Sequence, residues 1–284
     1  MYLTHFGLSQ HPFSLTPNTR YFFKLPAHQR AFEQLLQALK GEEKFAIISG
    51  EVGTGKTLLC RKILLALDPF QDRYLTAYIP HPVHSEQGIM HMLAEELQLP
   101  HDESMSYKQQ IRLISNALVY EHERSRKVVL FIDEAQAMPE ETLAALYLLT
   151  TLTDKGSSLQ IILFGQPELS TLLNQPLLRQ LSASVSFTYT LPPLDRASAK
   201  AYVDFRLTKA GYNGNCLFSD TAIDALFVAS KGVPRLINIL SHKAMIVAFG
   251  LGDYTITKTH IHRAIDDTDS IDREKSLKRR LFGL

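Results

Sequence analysis

The residues best suited to chemistry lie in one glycine-rich segment, Gly50-Glu51-Val52-Gly53-Thr54-Gly55-Lys56-Thr57. This segment fits the pattern G-x-x-x-x-G-K-[ST] of phosphate-binding loops. In such a loop the glycines let the backbone curl until its N–H groups point at phosphate oxygens, and the following helix adds its positive N-terminal end. Lys56 can then reach the β- and γ-phosphates, while the Thr57 hydroxyl can bind Mg²⁺. We predict that these residues and Leu58 bind a nucleoside triphosphate.

A glycine-rich turn can match this pattern by chance, so the segments on either side matter. Phe45-Ala-Ile-Ile-Ser before the loop is apolar and of strand length, and an amphipathic helical pattern follows the loop as far as about Leu67. A buried strand, a loop and a helix in this order are the context that phosphate binding requires. The surrounding sequence therefore favours function over coincidence.

A pair of carboxylates, Asp133 and Glu134, follows the apolar run Val128-Val-Leu-Phe-Ile. A strand that simply ends in a solvated acidic turn would look the same. With a phosphate-binding loop upstream, we predict instead that Asp133 holds Mg²⁺ and that Glu134 polarises the attacking water. A protein that only binds nucleotide needs no such base, so Glu134 favours hydrolysis.

Two more polar residues are candidates for sensing the γ-phosphate. Gln166 follows the apolar run 159–164, and ligands of parallel sheets bind at the carboxyl ends of strands. An ordinary polar turn residue is the alternative there. Arg235 follows Gly232-Val-Pro234 at the start of a predicted helix, from which its guanidinium could bind phosphates and couple nucleotide state to domain movement. The alternative is a surface arginine, which the helix dipole slightly disfavours at that position.

The hydrophobic pattern predicts the scaffold for these residues. Apolar runs of strand length alternate with amphipathic helical segments and occupy 45–49, 74–79, 128–133, 159–164 and 185–191. This alternation is typical of an α/β fold with a parallel sheet covered by helices. After residue 193 no further strand is predicted, and helical patterns occupy 195–210, 219–230, 234–249 and 258–266.

These patterns predict four parts of the chain. Residues 1–27 are rich in aromatics and prolines and form a strap on the body of the fold, because the prolines exclude a long helix. An α/β domain follows at 28–192, and a small helical domain at 193–270. The last part, 271–284, is a basic tail that could dock on an anionic membrane or a partner, or could be a solvated terminus.

Composition limits the classes of partner. The chain has 284 residues, of which 45% are hydrophobic and 21% charged, as expected for a globular protein with a substantial core. The formal net charge of +1 gives no overall electrostatic attraction for nucleic acid or membrane. The two cysteines, Cys60 and Cys216, form no paired motif, which suits a reducing compartment. With no signal peptide or membrane span predicted, we expect a cytoplasmic protein.

The motifs, in this order and followed by a helical domain, resemble the AAA+ ATPases. Five segments further resemble the general secretion pathway protein A type: Tyr2-Leu-Thr-His-Phe-Gly-Leu, Pro12-Phe-Ser-Leu-Thr-Pro, Gly165-Gln-Pro-Glu-Leu, Leu191-Pro-Pro-Leu and Gly232-Val-Pro-Arg235. The resemblance covers roughly residues 1–270. Longer members continue into a membrane span and a peptidoglycan-binding segment. This shorter chain resembles the members that serve the mannose-sensitive haemagglutinin (MSHA) type IV pilus.

The resemblance implies an AAA+ P-loop fold with a helical lid, ATP and Mg²⁺ as cofactors, and further site residues. Phe6 and His28 would line the adenine pocket, Pro234 would contact nucleotide, and Arg235 would be the sensor arginine of the lid. Members of this type carry an arginine just before the fifth strand, to act on a neighbouring subunit. Here that position falls in Ser-Ala-Ser184, and Arg179 is the nearest candidate. A missing arginine would make hydrolysis by the isolated protein slow.

Three functions are compatible with these features. The first is an ATPase that self-associates and acts with assembly proteins of a type IV pilus or secretion machine, in the cytoplasm or peripherally at the inner membrane. The second is a DNA-linked AAA+ protein of the transposition target-selector type, although the near-neutral charge and lack of a basic stripe argue against a nucleic-acid partner. The third is a nucleotide-binding switch with little turnover.

Overall fold

The computed structural model of this chain describes residues 2–268, apart from 17, 24, 42, 82, 83, 103 and 152–158. The tail predicted at 271–284 lies outside the described residues. The chain forms two compact units. The sheet unit comprises Pro26–Glu51 and Lys56–Leu191, and the helical unit takes its residues from Met1–Leu25, Val52–Gly55 and Pro192–Leu284.

The sheet unit is built on five parallel strands. They are β1 (Phe45–Ser49), β2 (Tyr74–Ile79), β3 (Lys127–Ile132), β4 (Leu159–Gly165) and β5 (Val185–Thr190). Their spatial order is β2-β3-β4-β1-β5, so β1, β3 and β4 are interior strands and are buried along nearly their whole length. This parallel sheet with flanking helices confirms the predicted α/β fold class, and each strand overlaps its predicted apolar run.

Both units contain helices. They are α1 (Tyr2–His5), α2 (Pro26–Lys40), α3 (Lys56–Leu67), α4 (Glu86–Glu96), α5 (Tyr107–Glu123), α6 (Glu140–Thr151), α7 (Glu168–Leu173), α8 (Arg179–Ala183), α9 (Arg196–Lys209), α10 (Asp220–Ser230), α11 (Pro234–Leu251) and α12 (Lys258–Asp266). Sequence analysis did not predict α7 and α8, because helices of six and five residues have fewer than two turns and show no clear periodicity. In the described part of the chain, every helix is too short or too polar to cross a membrane.

The carboxyl ends of three interior strands lie side by side in the sheet unit. On one side of β4, Gly165 pairs with Ser49 of β1, and on the other side Leu163 pairs with Ile132 of β3. The glycine-rich loop follows β1, the acidic pair follows β3 and Gln166 follows β4. These three segments therefore begin at one edge of the sheet, where ligands of parallel sheets bind.

Aromatic side chains of the N-terminal segment are part of the core of the helical unit. Tyr2, Phe6 and Phe13 are buried in the same cluster as Val203 of α9 and Ile237 of α11. Before α2 begins at Pro26, the regular structure among the described residues consists of the four-residue helix α1 and a 3₁₀ turn at 19–21. The absence of a long helix there agrees with its prolines, which fix φ and remove N–H donors.

One buried arginine fastens this segment to α9. Arg206 is 6% exposed, and its Nε and Nη2 donate to the backbone oxygens of Pro12 at 2.5 Å and Ser14 at 3.0 Å. Its Nη1 donates to Oη of Tyr202 at 2.9 Å, and its guanidinium carbon lies 4.6 Å from the centre of the Tyr21 ring. Carbonyl oxygens and aromatic faces thus surround a charge that would be costly to bury alone.

Candidate functional site

The loop after β1 has the backbone that its glycines allow. Gly53 and Gly55 have φ angles of 85° and 102°, in the left-handed region that residues with a Cβ rarely adopt. Lys56 begins α3 and is 5% exposed, and its Nζ donates to the backbone oxygens of Gly50 at 2.8 Å and Glu51 at 3.1 Å. The ammonium group therefore lies beneath the first part of the loop and is held by its carbonyl groups.

Burial and charge act in opposite directions on Lys56. Burial lowers the pKa of the ammonium group, and the negative charges of Glu134, Asp133, Glu51 and Glu168 oppose that shift without cancelling it. Four carboxylates thus stabilise the protonated lysine in a desolvated position. A buried cation at a helix N-terminus, beside curled backbone, is suited to binding an anion such as a phosphate.

The tip of the loop contacts the start of α11 in the helical unit. The backbone N–H of Arg235 donates to the oxygen of Gly53 at 3.3 Å. A Cβ at Gly53 would lie 2.5 Å from Cβ of Arg235, so a residue larger than glycine does not fit there. Pro234 is buried at the first turn of α11, whereas the side chain of Arg235 is exposed.

Thr57 and Asp133 are in direct contact. Oγ1 of Thr57 donates to Oδ2 of Asp133 at 2.5 Å, and the carboxylate is 3% exposed. Burial raises the pKa of Asp133, although hydrogen bonds from Thr57 and from the Glu134 N–H lower it in part. The structure therefore brings together the two predicted metal ligands, and their oxygens are of the hard type that Mg²⁺ prefers.

Glu134 has an unusual backbone and a well-defined carboxylate. Its φ and ψ of 54° and 36° lie in the left-handed region. Oε2 accepts hydrogen bonds from Nε2 of Gln136 at 2.6 Å and Nε2 of Gln166 at 3.1 Å. Burial raises the pKa of the carboxyl group, but these hydrogen bonds and the charges of Lys56 and His81 outweigh it, so the pKa lies below its ordinary value. Glu134 is therefore ionised at neutral pH.

Sequence reasoning missed Gln136. Its Oε1 accepts the backbone N–H of Gln166 at 2.9 Å, while its Nε2 donates to Glu134, so it joins two residues that were predicted separately. Its signal in the sequence was its place in Asp133-Glu-Ala-Gln136, two residues after the candidate base. That signal was too short to separate a contact within the site from an ordinary polar turn residue.

The other predicted residues have more varied positions. In the loop, Thr54 is fully buried and Val52 is 52% exposed. Leu58 is partly buried in the first turn of α3. Phe6 is 4% exposed in the core of the helical unit, and His28 is 5% exposed on α2 of the sheet unit. The structure thus places the two predicted adenine contacts in different units.

The predicted position of a trans-acting arginine lies on α8 of the sheet unit. Arg179 is exposed at the first residue of this helix. Ser182 and Ala183 are exposed near its end, and Ser184 is partly buried just before β5. The sequence departs from the resembled pattern at this surface, where no arginine stands at 182–184.

Comparison with known proteins identifies sequence relatives. A family model described as an AAA domain matches residues 39–173. Over 275 residues the chain is 38% identical to general secretion pathway protein A from Aeromonas hydrophila, and the alignment covers 95% of this chain and 49% of that protein. The chain therefore spans about half the length of this curated relative.

Three solved structures have a fold similar to that of this chain. The ORC2 protein of Aeropyrum pernix has a TM-score of 0.67 at 13% identity, covering 91% of this chain and 71% of its own. Cdc6p from Pyrobaculum aerophilum has a TM-score of 0.68 at 17% identity, and the match covers 90% of this chain and 70% of that protein. The third structure is the RuvB Holliday junction branch migration motor of Thermotoga maritima. It has a TM-score of 0.57 at 18% identity, and the match covers 90% of this chain and 73% of that protein. At such low identities the likeness concerns the fold alone.

Proposed function

Since the chain is an AAA+ protein of the general secretion pathway protein A type, we propose that it is a Mg²⁺-dependent ATPase that drives assembly of an MSHA-type type IV pilus or a related secretion machine. One observation carries the catalytic part of this proposal. The contact between Thr57 and Asp133, with Glu134 next to it, lies at the sheet edge where the phosphate-binding loop begins. Loop, metal ligands and base are the parts that nucleotide hydrolysis needs.

Binding is assigned to the loop and its lysine. The backbone N–H groups of 50–57, with Leu58 following, would surround the phosphates, and Nζ of Lys56 would exchange its carbonyl partners for phosphate oxygens. Thr57 and Asp133 would hold Mg²⁺, which when bound neutralises charge on the β- and γ-phosphates. Phe6, His28 and Pro234 are proposed contacts of the nucleotide.

Hydrolysis is assigned to Glu134. Its ionised carboxylate accepts a proton from water as the water oxygen bonds to the γ-phosphorus and the bond to the leaving oxygen of ADP breaks. Gln166 donates to this carboxylate at 3.1 Å and would orient the water or contact the γ-phosphate. Arg235, whose backbone bonds to Gly53, would sense the γ-phosphate with its exposed guanidinium.

Self-association and a partner are further parts of the proposal. AAA+ proteins often act as oligomers, and Arg179 is the nearest candidate for a residue acting on a neighbouring subunit. Because 182–184 contain no arginine, we expect slow hydrolysis by the isolated protein and faster hydrolysis with its partner. The name of the related protein, general secretion pathway protein A, supports a partner in secretion. A partner in pilus assembly and a position at the cytoplasmic face of the inner membrane are further parts of the proposal.

The first experiment measures phosphate release from ATP by the wild type, E134Q, K56A and the control Q37A, which changes an exposed glutamine of α2. We expect E134Q to lower turnover about 100-fold or more while nucleotide still binds, since general bases contribute on that scale. Unchanged turnover in E134Q would show that the assigned base is wrong. A wild type that releases no more phosphate than K56A, with Mg²⁺ present, would leave only a nucleotide-binding switch.

A second experiment addresses the partner. E134Q is expected to bind ATP without hydrolysing it, so complexes that form in the ATP state should accumulate. We expect E134Q introduced into the native host to reduce surface pili or secreted protein, and to retain assembly proteins in a pull-down with ATP. Normal piliation and secretion in that strain would contradict the assembly role while leaving the ATPase proposal untouched.

A further inference from the structure

The side chain of Gln136 uses both ends of its amide at the candidate site. Nε2 donates to Oε2 of Glu134 at 2.6 Å, and Oε1 accepts the backbone N–H of Gln166 at 2.9 Å. Nε2 of Gln166 donates to the same oxygen of Glu134 at 3.1 Å. The three residues form a closed ring of hydrogen bonds, which we call the carboxylate clamp.

The fold around the carboxylate clamp makes room for it. Gln136 lies in the 3₁₀ turn 135–137 after β3, and Ala135 at the start of that turn is fully buried, which fixes its position. Gly165 at the end of β4 has no Cβ, and one added there would lie 3.2 Å from Oε1 of Gln136 and 2.7 Å from a methyl group of Leu169. A glycine therefore allows the amide of Gln136 to approach the neighbouring strand.

The hydrogen bonds distinguish the two oxygens of Glu134. Within the described residues, both side-chain donors that reach this carboxylate bind Oε2. Its backbone is also held, because the Glu134 N–H donates to Oδ1 of Asp133 at 3.0 Å. With one oxygen fixed in this way, the orientation of the other is determined by the plane of the carboxylate.

We propose that Gln136 is a positioning residue for hydrolysis, which fixes Oε2 of Glu134 so that Oε1 is directed to accept the proton of the attacking water. This inference rests on the proposed ATPase function. An amide suits the task because it donates at one end and accepts at the other, whereas a carboxylate only accepts and an ammonium group only donates. Through Gln136 the base is also tied to the backbone of Gln166, so movement at the end of β4 would reposition Glu134.

A purely structural role for Gln136, as a link between β3 and β4, makes a different prediction. The isosteric variant Q136E keeps an acceptor for the Gln166 N–H but loses the donor to Glu134 and adds a negative charge beside it. If Gln136 only links the strands, Q136E should hydrolyse ATP normally. If it positions the base, Q136E should fail although the fold is kept.

The test compares wild type, Q136E, Q136A and the exposed control Q37A, each checked for its melting temperature and its affinity for a fluorescent ATP analogue. We expect Q136E and Q136A to lower kcat about 10-fold or more, part of what a general base contributes, with KM and analogue affinity within about 2-fold of the wild type. Q37A should match the wild type in kcat, in KM and in analogue affinity.

The outcomes separate this inference from the proposed function. If the wild type turns over ATP and a folded Q136E has an equal kcat, the positioning role alone is overturned. A rise in KM without a fall in kcat also overturns it, since that would make Gln136 a binding residue. A wild type without Mg²⁺-dependent turnover overturns the proposed function and this inference with it. Should Q136A fail to fold, Q136E decides the question, because it preserves side-chain shape.

Discussion

Replacing Arg206 with alanine is expected to destabilise the helical unit and to free the N-terminal segment from it. Of the three hydrogen bonds that its guanidinium donates, those to Pro12 and Tyr202 are buried and the one to Ser14 is partly buried. A hydrogen bond to a charged group contributes about 1.5–3 kcal/mol. The sum for three such hydrogen bonds overestimates the loss of stability, because R206A also removes the desolvation cost of a buried cation. We therefore expect a loss of about 3–5 kcal/mol.

The assay should measure the stability of the helical unit separately from that of the sheet unit, because a protein with two units need not unfold in one step. Amide hydrogen exchange in α9 and α11 gives the free energy of opening, and limited proteolysis reports release of the N-terminal segment. R206K retains the charge but not the planar fork of donors, so an intermediate loss is expected.

The matched control is R196A on the same helix. Arg196 pairs with Asp224, and both side chains are about half exposed, so replacing Arg196 should lower the free energy of opening far less than replacing Arg206 does. The argument from buried hydrogen bonds is refuted if the free energy of opening of R206A lies within about 1 kcal/mol of the wild-type value. It is also refuted if this free energy is no lower than that of R196A. The same conclusion would follow if the N-terminal segment of R206A resisted protease as well as that of the wild type.

Three further predictions concern the loop and the acidic pair. K56A should raise the Kd for ATP about 10- to 100-fold by removing a charged hydrogen-bond donor, and an unchanged Kd in fluorescence titration would contradict the assigned contact. G53A should weaken ATP binding and lower the Tm, because φ is positive there and a Cβ would collide with Arg235; a fully active, equally stable G53A would contradict the close approach. Burial raises the pKa of Asp133 in the folded protein above that of an unfolded aspartate. Ionisation of Asp133 therefore destabilises the folded state, and this destabilisation grows as the pH rises through the folded-state pKa. D133N should thus raise the Tm at pH 7 and raise it less near pH 4, which is about the pKa of an unfolded aspartate. The same variant should abolish Mg²⁺-dependent turnover. A gain in Tm that does not depend on pH would contradict the assigned cause of the pKa shift.

The elements that sequence analysis predicted share one property, which is that their signal is local. The loop at 50–57 is recognisable because eight consecutive residues carry it, and strand β3 because an unbroken apolar run ends in two carboxylates. Helices α7 and α8 were missed because each is shorter than two turns, so no periodicity could develop.

By itself, the sequence determined the α/β class, the order of the strands along the chain and the residues of the loop and the acidic pair. These follow from hydrophobic periodicity and from backbone requirements that only particular residue types meet. The tertiary structure alone decided which distant residues meet. Gln136 reaches Gln166 across 30 positions, and Arg206 reaches Pro12 across 194. A single glutamine or arginine has no local pattern that reveals its partner, because its position depends on how strands and helices pack.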